Sequence, residues 1–291
     1  MSDPTGAVVV GVDGSAQALE AVDLAAAEAV RHGCALRVVH AFIWPYMHVP
    51  LGPSEAGPPE GGLRHQAERL VEEAVDRARA SAPGLEVTGE VLTGSGGEVL
   101  IACSRTAALV VVGDRGLGAF AGLLLGSVAV HVAAHARCPV LVRRGARDPA
   151  LPILVAVDGS PANGAAVDFA FAEADAHGVP LVALHVWNHP VASGPGDIQP
   201  LVYDPAVVRE DEIRVLAEAL TPRRDRYPGV QVRSQVVQGR VRRTIVDATG
   251  EAQMVVVGAR GRGGFTGMLL GSVSQSVLHH AACPVAVVRN L

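Results

Sequence analysis

The chain consists of two copies of one unit. Asp158 follows Asp13 by 145 residues, and the same offset of 145 separates His185 from His40, Gly258 from Gly113, Ser272 from Ser127 and Cys283 from Cys138. An offset this constant across 291 residues means a duplicated segment with no net insertion between the anchors. The period is too long for a solenoid repeat, so each copy must hold its own core. The length suits two domains of ordinary size. The expected division is 1–147 and 148–291, with the junction in the short Pro-bearing stretch Gly145–Leu151.

Each copy alternates short Val-rich runs with helical patterns. In the first, Ala7–Val12, Ala35–Ile43 and Leu85–Leu92 read as strands, and Ala16–His32, Leu63–Ala80 and Glu98–Arg105 as helices. In the second, Ile153–Val157, Leu181–Trp187 and Val230–Val237 read as strands. Helices are expected over Pro161–His177, up to about Tyr227, and from Arg242. Trp44–Gly62 and Asn188–Asp204 are Pro/Gly-rich loops that could close over a ligand or serve as plain connectors. This alternation predicts an α/β fold, a doubly wound parallel sheet in each copy, with ligands bound beyond the carboxyl ends of the strands where strand order reverses.

The most similar stretches are Ala108–Arg143 and Gln253–Val288. Each reads as buried strand, glycine-rich loop, helix and second strand, with the spacing G-x-x-G, nine residues, then G-S: Gly113, Gly116, Gly126, Ser127 and Gly258, Gly261, Gly271, Ser272. Glycines can take left-handed angles and let an anion approach backbone amides. A helix N-terminus leaves its first N–H groups unpaired and favours negative charge. Ser127 adds a hydroxyl, and Arg115 adds a fixed positive charge. A plain turn and N-cap would use the same residue types; the recurrence of the whole spacing beside a repeated V-D-G-S favours a phosphate site. Asp13 and Asp158 end the first strand of each copy. They could accept from ribose hydroxyls or a base amino group, or simply form an Asx turn. Backbone groups of Val39–Ala41 and Leu184–Val186 could meet an adenine edge, with His40 and His185 as packed side chains.

All 24 basic side chains are arginine. Without lysine there is no Walker-type phosphate lysine, no kinase-type lysine and no Schiff base. A net charge of −5 argues against a nucleic-acid binder. The four cysteines form no C-x-x-C pair and read as small buried residues in a reducing, cytoplasmic setting. Neither a signal peptide nor a membrane span is expected. His131 and His135 lack the Glu of a zincin helix, so no metal site is expected there.

On V-D-G-S after each first strand, the double glycine module, and the C-P-V strand that ends each unit, the chain resembles tandem universal stress proteins of the ATP-binding branch. The resemblance covers nearly the whole chain. It implies five parallel strands per domain in the adenine nucleotide α-hydrolase-like arrangement, ATP with or without Mg2+, homodimerisation through the last strands, an unidentified regulated protein, and a role in stress, dormancy or growth control. The binding set it implies is Gly11, Asp13, Ala41, Gly113, Arg115, Gly116, Gly126, Ser127 and Val128 in the first unit. In the second it is Asp158, Val186, Gly258, Arg260, Gly261, Gly271, Ser272 and Val273. No catalytic residue is expected; a slow ATPase or adenylyl-transfer enzyme is the alternative. Two departures separate the copies. Gly11 becomes Ala156, which is expected to narrow the second pocket. Asp114 and Leu117 become Ala259 and Arg262, so charge predicts tighter phosphate binding in the second site.

Overall fold

The computed structural model describes residues 6–43, 62–117, 125–188, 205–262 and 269–290. Residues 44–61 and 189–204 of the two Pro/Gly-rich loops, and the middle of each glycine loop, lie outside the described residues. The chain divides into two compact units between Arg144 and Gly145.

In the first unit the order is β1 (Val8–Val12), α1 (Ala16–His32), β2 (Leu36–Phe42), α2 (Leu63–Ser81), β3 (Val87–Thr93), α3 (Gly96–Cys103), β4 (Leu109–Gly113), α4 (Ser127–His135) and β5 (Val140–Arg143). The strands lie in the order β3-β2-β1-β4-β5, all parallel. The second unit repeats this with β6 (Ile153–Ala156), α5 (Gly164–His177), β7 (Leu181–Trp187), α6 (Pro205–Arg226), β8 (Val232–Gln238), α7 (Val241–Ala248), β9 (Met254–Gly258), α8 (Ser272–His280) and β10 (Val285–Val288). Its strand order is β8-β7-β6-β9-β10, again parallel. Each unit is therefore a doubly wound five-stranded parallel sheet, whose order reverses between β1 and β4, and between β6 and β9.

Local sequence accounts for the element ends. Ser15 caps α1 by accepting the Ala18 amide at 3.2 Å, and Gly33 ends it in the left-handed region at φ 61°. Gly178 ends α5 in the same way at φ 64°. The expected helix from Pro161 starts as a three-residue 3-10 turn, Pro161–Asn163, before α5. The helix expected from Glu98 starts at Gly96 because Ser95 is its cap. Val8, Val9, Val10, Val110 and Val111 are fully buried, as continuous valine runs in a sheet covered on both faces must be.

Cys138 and Cys283 are buried, and burial pushes each thiol up to about 12 from an ordinary 9.0. The neutral thiol is thus favoured by folding. That contribution is fully present below pH 9 and is lost as pH rises toward 12. At pH 8 in the native chain both should resist alkylation until the protein is unfolded. Rapid labelling of either before unfolding would contradict the packed placement.

Candidate functional site

The carboxyl ends of β1 and β4 sit side by side at the strand-order reversal, and so do those of β6 and β9. Asp13 stands one residue beyond β1. Its Oδ1 accepts the Ser15 amide at 3.0 Å, an Asx turn, and its Oδ2 accepts the Leu117 amide at 2.8 Å. Asp158 repeats both bonds, from the Ser160 amide at 2.8 Å and the Arg262 amide at 3.0 Å. Each aspartate therefore ties the first-strand turn to a glycine loop 104 residues further along the chain. The Asx turn is present, and the second oxygen does something that sequence reading did not foresee: it holds the loop.

The reason for the module glycines also differs from expectation. None of Gly113, Gly116, Gly126, Gly258, Gly261 and Gly271 has a positive φ. What they supply is room. A Cβ on Gly116 would collide with the Asp13 carboxylate, and one on Gly261 with that of Asp158. A Cβ on Gly113 would stand 3.1 Å from the Gln17 backbone, and one on Gly258 3.0 Å from the Arg260 carbonyl. The left-handed glycines are Gly14 and Gly159, at φ 88° and 71°, in the turn after each aspartate.

Gly126 and Gly271 are the N-caps of α4 and α8, and neither provides a side-chain cap. Their own amides close the loops onto the Asp114 carbonyl at 2.7 Å and the Ala259 carbonyl at 2.8 Å. Ser127 and Val128, like Ser272 and Val273, form the first turn, where helix amides have no partner within the helix. Val128 is exposed, as are Ser127, Arg115 and Arg260. In the first unit Asp114 Oδ1 is buried with no hydrogen-bond partner. Burial lowers the pKa of the nearby Arg144, which Asp114 counteracts and Arg115 reinforces.

In the second unit these residues enclose a cavity of about 1030 Å³. Its wall includes Asp158, Val186, Gly258, Arg260, Gly261, Gly271, Ser272 and Val273, the complete set expected for that unit. The size suits a small-molecule ligand. Val186 lies where β7 overhangs its neighbour: the β6 ladder stops at Leu184 whereas the β8 ladder continues to Trp187. Ala41 lies likewise beyond the last β1–β2 pair, Val12 with His40. Ala156 lines the cavity, and its extra methyl has a counterpart. In the first unit a Cβ on Gly11 would stand 2.7 Å from Leu100, and Ile245 takes the place of that leucine in the second.

Residues 5–144 and 151–289 each match the model of the universal stress protein family. The chain belongs to the universal stress protein family. A family member from Mycobacterium tuberculosis is 41% identical over 303 aligned positions, covering 97% of this chain and 94% of its own length. One from Mycolicibacterium smegmatis is 40% identical over 294 positions, covering 97% and 96%. The fold matches the crystal structure of a universal stress protein from Archaeoglobus fulgidus with a TM-score of 0.71 at 22% identity, over 98% of each chain.

Several residues in this family member's cavity were not singled out from sequence. Asn163 is buried, donates to the Ala156 carbonyl at 3.1 Å and accepts the Asp158 amide at 3.4 Å. Glu212, from α6, meets His185 Nε2 at 2.7 Å, while His185 Nδ1 meets the Val157 carbonyl at 2.6 Å. A carbonyl can only accept, so Nδ1–H is the donor to Val157, and the Nε2 side of the ring faces the Glu212 carboxylate. His40 makes the first bond, to the Val12 carbonyl at 2.7 Å, but Ala67 stands where Glu212 would be. Arg240, Arg242 and Arg243 also line the cavity. They were legible as R-V-R-R aligned with S-G-G-E of the first copy.

Among the described residues, no helix is long and apolar enough to cross a membrane. His135 Nδ1 contacts the His131 carbonyl of its own helix at 2.9 Å.

Proposed function

We propose that this universal stress protein binds ATP at the carboxyl ends of its strands and acts as a nucleotide-dependent regulator of stress response, dormancy or growth. The observation that carries the reading is the second unit's cavity, where an aspartate-clamped glycine loop, an uncapped helix start and Arg260 share one wall. Phosphates would lie against the amides of Ser272 and Val273, with Arg260 and Arg262 beside them. The first unit would use Gly113, Arg115, Gly116, Gly126, Ser127 and Val128 in the same way, with Gly11, Asp13 and Ala41 toward the nucleoside. Mg2+ would accompany the triphosphate. The same reading includes a cytoplasmic homodimer, testable by light scattering with and without ATP. Mass spectrometry of ligand released on denaturing the purified chain should find an adenine nucleotide. Finding none in either released or reloaded protein would refute the reading.

Slow hydrolysis is the second reading, and one observation favours it: His185 and Glu212 face the same cavity. They are bonded to each other, and no lysine is present to neutralise the transferring phosphate. Steady-state turnover with Mg2+-ATP should therefore stay below about 1 s⁻¹, a low value for an enzyme. Turnover well above that would favour the enzyme.

A further inference from the structure

One wall of the second cavity is not used by the nucleotide reading. α7 starts Arg240-Val241-Arg242-Arg243, and all four residues line the cavity. In the first unit the equivalent start is Ser95-Gly96-Gly97-Glu98, with charges of the sign a helix start favours. There Ser95 Oγ accepts the Glu98 amide at 3.4 Å and donates to its carboxylate at 2.9 Å. The second unit has lost that cap. Arg240, at the N-cap, makes no side-chain capping bond, and the first turn holds no acidic residue. Among the described residues Arg240 and Arg242 pair with no carboxylate, and Arg243 reaches only the exposed Asp247, at 3.6 Å. Three arginines at the positive end of a helix dipole oppose folding of that helix. Such a breach of local preference, concentrated on a cavity wall, is what a binding site leaves in a sequence.

The wall adjoins the glycine module. In the first unit a Cβ on Gly96 would stand 3.5 Å from Val128, and one on Gly97 2.6 Å from the His131 ring. The start of α3 thus rests on the first turns of α4. The second unit exchanges this Gly97–His131 pair for Arg242 and Ser276, and both face the cavity. The arginines therefore extend the anion site at the start of α8.

We propose that Arg240, Arg242 and Arg243 form a second polyphosphate subsite, so that the second unit takes a ligand carrying phosphate charge beyond a triphosphate. The first unit, with Ser95, Gly97 and Glu98 in those places, does not. The subsite rests on the nucleotide reading only for where the first phosphates lie. The shared chemistry is a chain of phosphates, supplied by the nucleotide itself or by a free polyanion.

Calorimetry on the full chain tests this with ATP, adenosine 5′-tetraphosphate and inorganic tripolyphosphate. The variants are Arg242→Gln and the double variant Arg240→Ser/Arg243→Glu, which restores the first unit's cap. The tetraphosphate should bind one site about tenfold tighter than ATP, an advantage lost in Arg242→Gln. The double variant should melt at higher temperature without ligand yet bind tripolyphosphate roughly tenfold more weakly, which separates lost binding from lost folding. Tripolyphosphate competing with ATP assigns the subsite to the nucleotide's own chain, whereas binding beside saturating AMP assigns it to a free anion. If tripolyphosphate binds through Arg242 while ATP does not bind, the subsite stands and the nucleotide reading falls. If ATP binds and both variants leave every affinity unchanged, the subsite is overturned and the nucleotide reading stands.

Discussion

Gly261→Glu should abolish nucleotide binding at the second unit, lowering affinity by about 100-fold or more. Two effects act together. Any Cβ at this position runs into the Asp158 carboxylate, so either the loop or the aspartate must move. The glutamate also places a second negative charge beside the first, where phosphate is to bind. A like-charge juxtaposition costs several kcal/mol, and about 2.7 kcal/mol already corresponds to 100-fold. Gly116→Glu should act the same way at the first unit but remove less binding, because that site starts weaker. It has Asp114, Leu117 and Glu98 where the second has Ala259, Arg262 and Arg243. Calorimetry on each variant separately checks the ranking, and a larger loss from the Gly116 change would reverse it.

Asp158→Asn should be nearly as damaging to the second unit's stability as Asp158→Ala. Both carboxylate oxygens accept backbone amides, from Ser160 and Arg262. An asparagine offers one acceptor and turns an NH2 group toward the other donor. Losing the bond at the part-buried Ser160 amide costs about 1–3 kcal/mol, and losing the one at the exposed Arg262 amide costs less, about 1 kcal/mol. For a domain of this size that lowers the melting temperature by roughly 2–4 °C per kcal/mol. Asp13→Asn should do the same in the first unit through the Ser15 and Leu117 amides. Denaturant melts of each variant, followed by a probe in each unit, are the check. If both Asn variants melt like the parent chain, the aspartates do not clamp the loops.

Architecture was written plainly in the chain, because the signals for it are local. Ser15 and Gly33 mark the two ends of α1, valine runs mark buried parallel strands, and the constant offset declares the duplication. The residues that gather at the second cavity were legible for the same reason, since each sits at the end of a recognisable strand, in the repeated glycine loop or at the start of a helix. What was misread was the left-handed backbone expected of the module glycines, none of which has a positive φ. Backbone angles are invisible in sequence, and the group that forbids a Cβ at Gly116 comes from Asp13, about a hundred residues away. The His185–Glu212 contact was equally out of reach, because it joins β7 to α6 across a long loop. The arginine wall was within reach: aligning R-V-R-R with S-G-G-E reveals a reversed charge pattern at one helix start.

Titrating ATP into the nucleotide-stripped full chain by calorimetry tests the central claim most directly. The claim is that adenine nucleotides sit against the uncapped helix starts at Gly126-Ser127 and Gly271-Ser272. The predicted result is saturable binding to two sites per chain, with the tighter isotherm absent from Gly261→Glu and the weaker one absent from Gly116→Glu. Heats that never saturate at millimolar ATP, or isotherms that both variants leave intact, would contradict it.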